Sequence, residues 1–152
     1  MHLTLHADYS LRVLLYLAAH SERQVSTQEV SQAYGISKHH LVRVVQTLGR
    51  SGFIEVRTGR AGGISLARGL GEISVGQVVR ATEPDFHLVE CFDREKNTCP
   101  IAPACGLKGV LYEAREAFLA ALDRYTLADL VKRSRKDLKD LFLPVVAAAR
   151  AP

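Results

Sequence analysis

Between residues 26 and 67 the chain carries a run of start and stop signals that leaves few folds open. Ser26 followed by Glu29 is a capping-box signature, and the helix it opens reaches about Tyr34 before Gly35 stops it. Ser37 caps another helix, whose apolar residues Leu41, Val44, Val45 and Leu48 stand at i, i+3, i+4 and i+7 before Gly52 ends it. Residues 53–67, FIEVRTGRAGGISLA, alternate as a strand, turn through Thr58–Gly63 and return through Ile64 and Leu66. Two helices across a short glycine turn, followed at once by a hairpin, predict a winged helix-turn-helix.

The flanks extend this into a mainly α chain with one small β-hairpin. Upstream, residues 4–20 place Leu11, Leu14, Leu15 and Ala18 on one helical stripe, with Ala7 and Tyr9 nearby. Downstream, Ser74 caps a helix with Val75, Val78 and Val79 inward, and Pro84 follows its end. After Gly106 a long helix runs to about Tyr125, with Leu107, Leu111, Ala114, Phe118, Ala121 and Tyr125 spaced alternately by four and three, widened by Val110, Ala117 and Leu122. That stripe suits pairing between subunits, and equally packing on the chain's own domain. Thr126 and Asp129 start a short last helix. The expected organisation is a winged helix-turn-helix over 1–83, a cysteine loop over 84–105, a dimerisation helix with its short follower over 106–133, and a tail over 134–152 without a signal of its own.

Charge points to the partner of the first half. Residues 1–80 hold nine Lys and Arg against five Asp and Glu, whereas residues 81–152 hold eleven of each. The excess peaks between 38 and 68, where Lys38, Arg43, Arg50, Arg57, Arg60 and Arg68 face Glu55 alone. A basic stripe over a helix-turn-helix is the electrostatic footprint of double-stranded DNA. The N-terminal residues of the second helix enter the major groove, so Ser37, Lys38, His39, His40 and Arg43 are candidate contacts, and the Arg43 fork can bond guanine in two places. On the wing, Arg57 and Arg60 frame the tip, Arg60 placed for a narrow minor groove. Gly62 and Gly63 there allow a phosphate backbone to come close.

Cys91, Cys99 and Cys105, the chain's only cysteines, fall within one polar, proline-broken segment of 15 residues. Disulfides need pairs, and a closed zinc site or an iron–sulfur cluster usually takes four ligands. Pro100 and Pro103 stiffen the loop around the second and third thiols. The N-terminal apolar stretch is interrupted by Asp8 and Arg12, so neither a signal peptide nor a membrane span is expected. In a reducing cytoplasm, the expected location, clustered thiols bind metal more readily than they form disulfides. Three buried, independent cysteines are the plain alternative. A Cys91–His87 nucleophilic pair lacks an orienting acid and an oxyanion site, so no enzyme is expected.

Several segments, taken in order, resemble a known family: ADYSLR at 7–12, GISKHHLVRVVQTLGRSGFI at 35–54, RAGGI at 60–64, the C-x7-C-P-x4-C loop, and TLADL at 126–130. Together they are similar to a bacterial winged-helix family of iron–sulfur regulators, and within it to the nitric-oxide-sensing repressors. The resemblance covers about residues 1–132. A regulator of iron–sulfur biogenesis in the same family has a histidine ligand just after its last cysteine, where this chain has Gly106, Leu107 and Lys108. The resemblance implies a homodimeric repressor that binds its operator with a [2Fe–2S] or [4Fe–4S] cluster intact. Nitric oxide would attack the irons, release the DNA and allow expression of nitric oxide detoxification genes. It also implies that Asp8 is an oxygen ligand donated across the dimer, joining Cys91, Cys99 and Cys105. On its residues alone Asp8 is equally a favourable charge at a helix N-terminus. His87, four residues before Cys91, would instead complete a Cys₃His zinc site, and His6 is a further contender. The alternatives are therefore another iron–sulfur or redox-sensing regulator of this family, a zinc-structured DNA-binding protein, and an iron–sulfur electron carrier or enzyme, the last leaving the wing without purpose.

Overall fold

A computed structural model describes residues 2–59, 62–132 and 134–148, with side chains to residue 142. The order is α1 (Leu5–Ala19), α2 (Thr27–Tyr34), α3 (Lys38–Arg50), β1 (Ile54–Arg57), β2 (Gly63–Leu66), α4 (Val75–Thr82), α5 (Gly106–Asp123), α6 (Leu127–Val131) and α7 (Arg135–Ala148). Short 3₁₀ turns at Leu70–Glu72, Glu90–Phe92 and Ala102–Ala104 punctuate the connections. This is the winged helix-turn-helix with a long helix that the sequence predicts. No described helix is long and apolar enough to cross a membrane.

α1 is the axle of the fold. It packs against α3, α4, α6, α7 and β2. Contact on so many sides buries Val13, Leu14, Tyr16, Leu17, Ala18 and Ala19, while Leu11 and Leu15 of the expected stripe are only half-buried. A helix surrounded by neighbours has no single inward face, so its periodicity misleads. Thr4 fixes the helix start: its hydroxyl accepts from the Ala7 N–H, and its own N–H and hydroxyl donate to Glu83 Oε1 at 2.7 and 3.1 Å. The end of α4 is thereby tied to the beginning of α1.

β1 and β2 pair antiparallel, Ile54 opposite Leu66 and Val56 opposite Ile64. On the outer edge of β2, Val25 exchanges backbone hydrogen bonds with Ile64 at 2.8 and 3.0 Å. Ile54 and Ile64 are buried, and Val56, nearer the tip, is 53% exposed. Gly63 has a reason inside the fold, since a Cβ there would stand 2.8 Å from the Val25 carbonyl oxygen.

The carboxy-terminal elements divide between two duties. α6 opens with a reciprocal box between Thr126 and Asp129 and buries Leu127 and Val131 in the same core as α1. The segment expected as a tail contains α7, which packs on α1 and α2. Arg135 donates to the Ala19 carbonyl at 3.1 Å and to Ser21 Oγ at 2.7 Å, and Lys139 meets Glu22 at 2.5 Å. Phe142 lies against Tyr16 and Tyr34, ring centroids 4.8 and 5.1 Å away.

α5 stands apart. Only Leu119 is buried, against Val75 and Val79 of α4. A two-pronged ion pair, Arg80 to Asp123 at 2.5 and 2.7 Å, pins its end to α4. Leu119 lies outside the expected stripe, whose Leu107 is 62% exposed, as is Val110 beside it.

Candidate nucleic-acid interface and metal centre

The turn before α3 is built by Gly35, at φ +65°, a conformation that costs other residues. Ser31 Oγ reaches over it to donate to the Ile36 carbonyl at 2.6 Å. Ser37 then caps α3 by accepting the His40 N–H at 3.4 Å. Ser26 likewise caps α2 through the Glu29 N–H, but the expected reciprocal bond is absent. Glu29 turns inward instead, accepts from the Tyr16 hydroxyl at 2.9 Å and pairs with both prongs of Arg23. Burial opposes its charge, yet the hydrogen bonds from Arg23 and Tyr16 hold the carboxyl below its ordinary range. Burial first, and the Glu29 carboxylate second, push the Tyr16 hydroxyl up. α1, α2 and the segment between them are locked by this triad.

With Leu41, Val44, Val45 and Leu48 buried, α3 is oriented by its core. His6 Nε2 and Thr47 Oγ1, 3.1 Å apart, add a tie to α1. Lys38, His39, His40, Arg43, Gln46 and Arg50 are then all exposed along the outer face. Val42, at 44% exposure, shares that face with Lys38, His39 and Gln46. A water-facing valine there suits contact with a thymine methyl. Sequence reading passed over it because an apolar residue beside a core stripe looks like its edge. Arg57 is exposed on the wing, 3.7 Å from Glu55. Gly62 serves the turn itself, since a Cβ would fall 2.4 Å from the Arg57 carbonyl oxygen. Arg60 lies outside the described residues.

The three cysteines occupy three different pieces of local structure. Cys91 is in the 3₁₀ turn Glu90–Phe92, Cys99 precedes the second turn, and Cys105 is the N-cap residue of α5. All three are free thiols, partly exposed, and none is spent in the core. Among the described residues no three His, Cys, Asp or Glu side chains gather into a metal-holding group. Asp8 sits in the first turn of α1 and pairs with Arg12 at 2.8 Å, away from the loop's own bonding. His87 lines a cavity of about 570 Å³ with Leu3, Phe86 and Phe118, its Nδ1 3.9 Å from Asp85. By donor chemistry the loop fits an iron–sulfur cluster, because unused cysteine sulfurs are the ligand type that iron in such clusters takes. Among the described residues the loop offers three thiols, and neither these nor any fourth donor converge on a common point.

Comparison with known proteins places the chain among transcriptional regulators. Residues 3–133 match the family Rrf2, described as an iron-dependent transcriptional regulator. The HTH-type transcriptional regulator NsrR of Bacillus subtilis (strain 168) is 51% identical over 140 residues, covering 91% of this chain and 96% of that protein. NsrR of Shouchella clausii is 52% identical over 132 residues, covering 86% and 89%. Among solved structures, IscR of T. potens shares the fold at a TM-score of 0.71, with 24% identity over 88% of each chain.

Proposed function

Because the chain belongs to the Rrf2 family of transcriptional regulators, we propose that it is a homodimeric repressor in which an iron–sulfur cluster senses nitric oxide. It is a DNA-binding transcriptional regulator and not an enzyme. The observation that carries the finer reading is the confinement of all three unspent thiols to the loop leading into α5, a helix that leaves Leu107, Val110 and Tyr112 exposed.

Each part has its task. Arg43 reads a base edge in the major groove, with Lys38, His39 and His40 on neighbouring phosphates or bases. Ser37 offers the helix start, and the wing brings Arg57, Arg60, Gly62 and Gly63 to the flanking backbone. The exposed stripe of α5 pairs two copies, which spaces two recognition helices for a paired operator. Cys91, Cys99 and Cys105 hold the cluster, and Asp8 from the second copy supplies the fourth ligand. When bound, the cluster supplies iron open to substitution by nitric oxide, most of all where a hard carboxylate is the ligand. Asp8 and α3 are parts of one packed domain, so freeing Asp8 shifts how the domain sits on α5. A shift of about 1–3 kcal/mol per site makes a useful switch.

The test is purification without oxygen, a visible spectrum, and a nitric oxide titration followed by operator binding. An absorbing protein that loses its operator on titration is expected. A colourless, zinc-loaded protein whose DNA affinity ignores nitric oxide would overturn the reading in favour of a zinc-structured regulator. Asp8→Ala should weaken cluster retention and His87→Ala should not, and the reverse result moves the fourth ligand to His87.

A further inference from the structure

The cysteine loop is fastened to itself and to α5 by contacts of its own side chains. Glu90, beside Cys91, accepts two hydrogen bonds through Oε1 from Thr98, beside Cys99: one from its N–H and one from its hydroxyl at 2.8 Å. The two ligand positions, eight residues apart, are thus joined at the mouth of their own loop. Inside it, Asp93 accepts from the Glu95 and Lys96 N–H groups at 3.0 and 3.4 Å, and Asn97 accepts from the Cys99 N–H at 3.1 Å. The Cys99 carbonyl accepts from the Ala102 N–H at 3.2 Å, which carries the chain into the turn ending at Cys105.

A second fastening closes the circuit. Phe92, the other neighbour of Cys91, lies 5.6 Å from Tyr112 of α5, centroid to centroid. The Arg115 guanidinium stands over both rings, 3.9 Å from Tyr112 and 5.3 Å from Phe92. Its side chain is only 16% exposed, held by Glu116 at 2.8 Å. Cation–π contacts gain strength as they lose water. Cys91 is therefore tied on one side to Cys99 through Glu90, and on the other to the helix that begins at Cys105 through Phe92 and Arg115.

We propose that Glu90 and Arg115 are positioning residues that hold the three cysteine positions in a fixed backbone frame before a cluster binds, so that loading needs thiol rotation and a fourth ligand rather than folding of the loop. The inference rests on the cluster reading above and deepens it. It makes the metal-free protein a reloadable state instead of a loop that melts on losing iron. Outer-shell partners of this kind change metal affinity by roughly 10–100-fold when removed.

The experiment uses the full chain, reduced and metal-free. Hydrogen exchange at the Thr98 amide should be slow in the wild type, fast in Glu90→Ala, and slow again in Glu90→Gln, whose amide oxygen still accepts. Anaerobic titration with cobalt(II), followed by the thiolate-to-cobalt absorption, should show affinity lowered about tenfold in Glu90→Ala and in Arg115→Leu, and retained in Glu90→Gln. Coil-rate exchange at Thr98 in the wild type, or cobalt affinity unchanged in Glu90→Ala and Arg115→Leu, overturns the frame. A wild type that carries a cluster and answers nitric oxide while both variants load as it does would overturn the frame alone. A wild type without cluster or nitric oxide response overturns the cluster reading, whatever the exchange at Thr98.

Discussion

α1 and α5 are the two longest helices among the described residues, and they are buried to opposite degrees. α1 buries eight of its fifteen residues and α5 one of its eighteen, Leu119. Both have apolar content enough for a core, so composition does not separate them. α1 finds its partners within the chain, among α3, α4, α6, α7 and β2. α5 touches α4 and the cysteine loop, and leaves Leu107, Val110 and Tyr112 half or more exposed. The contrast teaches that the winged helix-turn-helix is packed within the chain, whereas α5 leaves apolar surface open, which on the proposed reading a second copy covers while a metal fills the loop beside it.

The largest expected effect breaks the packed half. Leu14 is fully buried, and Leu14→Ala should lower unfolding free energy by about 3 kcal/mol. Leu107→Ala, on the 62% exposed position, should change the stability of the separated subunit by less than about 0.5 kcal/mol. Denaturant midpoints measured against protein concentration check both, with Leu107→Ala acting only where subunits associate. Equal losses in the two variants at high dilution would erase the contrast.

Phe142→Ala comes next and asks how far the packed half extends. Phe142 is 9% exposed and closes an aromatic group with Tyr16 and Tyr34. Burial also drives the Tyr34 hydroxyl up to about 12. The expected loss is about 2 kcal/mol, below that of a central Phe because the site lies at the rim. Thermal unfolding tests it, and an unchanged midpoint would return residues 134–152 to the status of a tail.

Much of the packed half was legible because its signals are local. Ser37, Gly35 and the 41/44/45/48 stripe define α3 within a few residues of itself, and Thr126 with Asp129 defines α6 the same way. Features set by tertiary contact were not legible. Glu29 completes a box in the sequence pattern but finds Tyr16 and Arg23 in three dimensions, a stronger pairing than its own helix start. Phe142 had no readable partner because Tyr16 and Tyr34 are more than a hundred residues away. The metal site was legible in ligand type alone. Among the described residues the thiols do not gather with other donors into a metal-holding group, and on the proposed reading the fourth ligand comes from a second copy, which no spacing rule within one sequence can place.

A smaller effect sharpens the functional side of the comparison. Arg43→Ala should weaken operator binding by about 1–2 kcal/mol and relax preference at one base pair, with folding unaffected since the side chain is exposed. Lys38→Ala should weaken binding to all sequences alike and lower the salt slope by about one. Titrations at several salt concentrations on matched and altered operators separate the two roles. Equal losses on all operators for Arg43→Ala would reassign it to the phosphates.

The smallest effect concerns what holds the packed half together in acid. Glu29 has its carboxyl held down in the folded protein: burial raises it, and the bonds from Arg23 and Tyr16 lower it further than burial raises it. A carboxyl whose folded value is depressed contributes stability that is fully present above its unfolded value, about 4.5, and is lost as pH falls through the folded value. Glu29→Gln keeps the shape and removes the titration. The difference in unfolding free energy between wild type and Glu29→Gln should therefore be constant above about pH 5 and shrink below it. Arg23 is 42% exposed, so water screens the pair and the plateau should be on the order of 1 kcal/mol. Denaturant titrations from pH 3 to 7 give the curve. A flat difference across that range would mean that Glu29 acts by packing alone, and that α1 and α2 are joined by their apolar residues without help from charge.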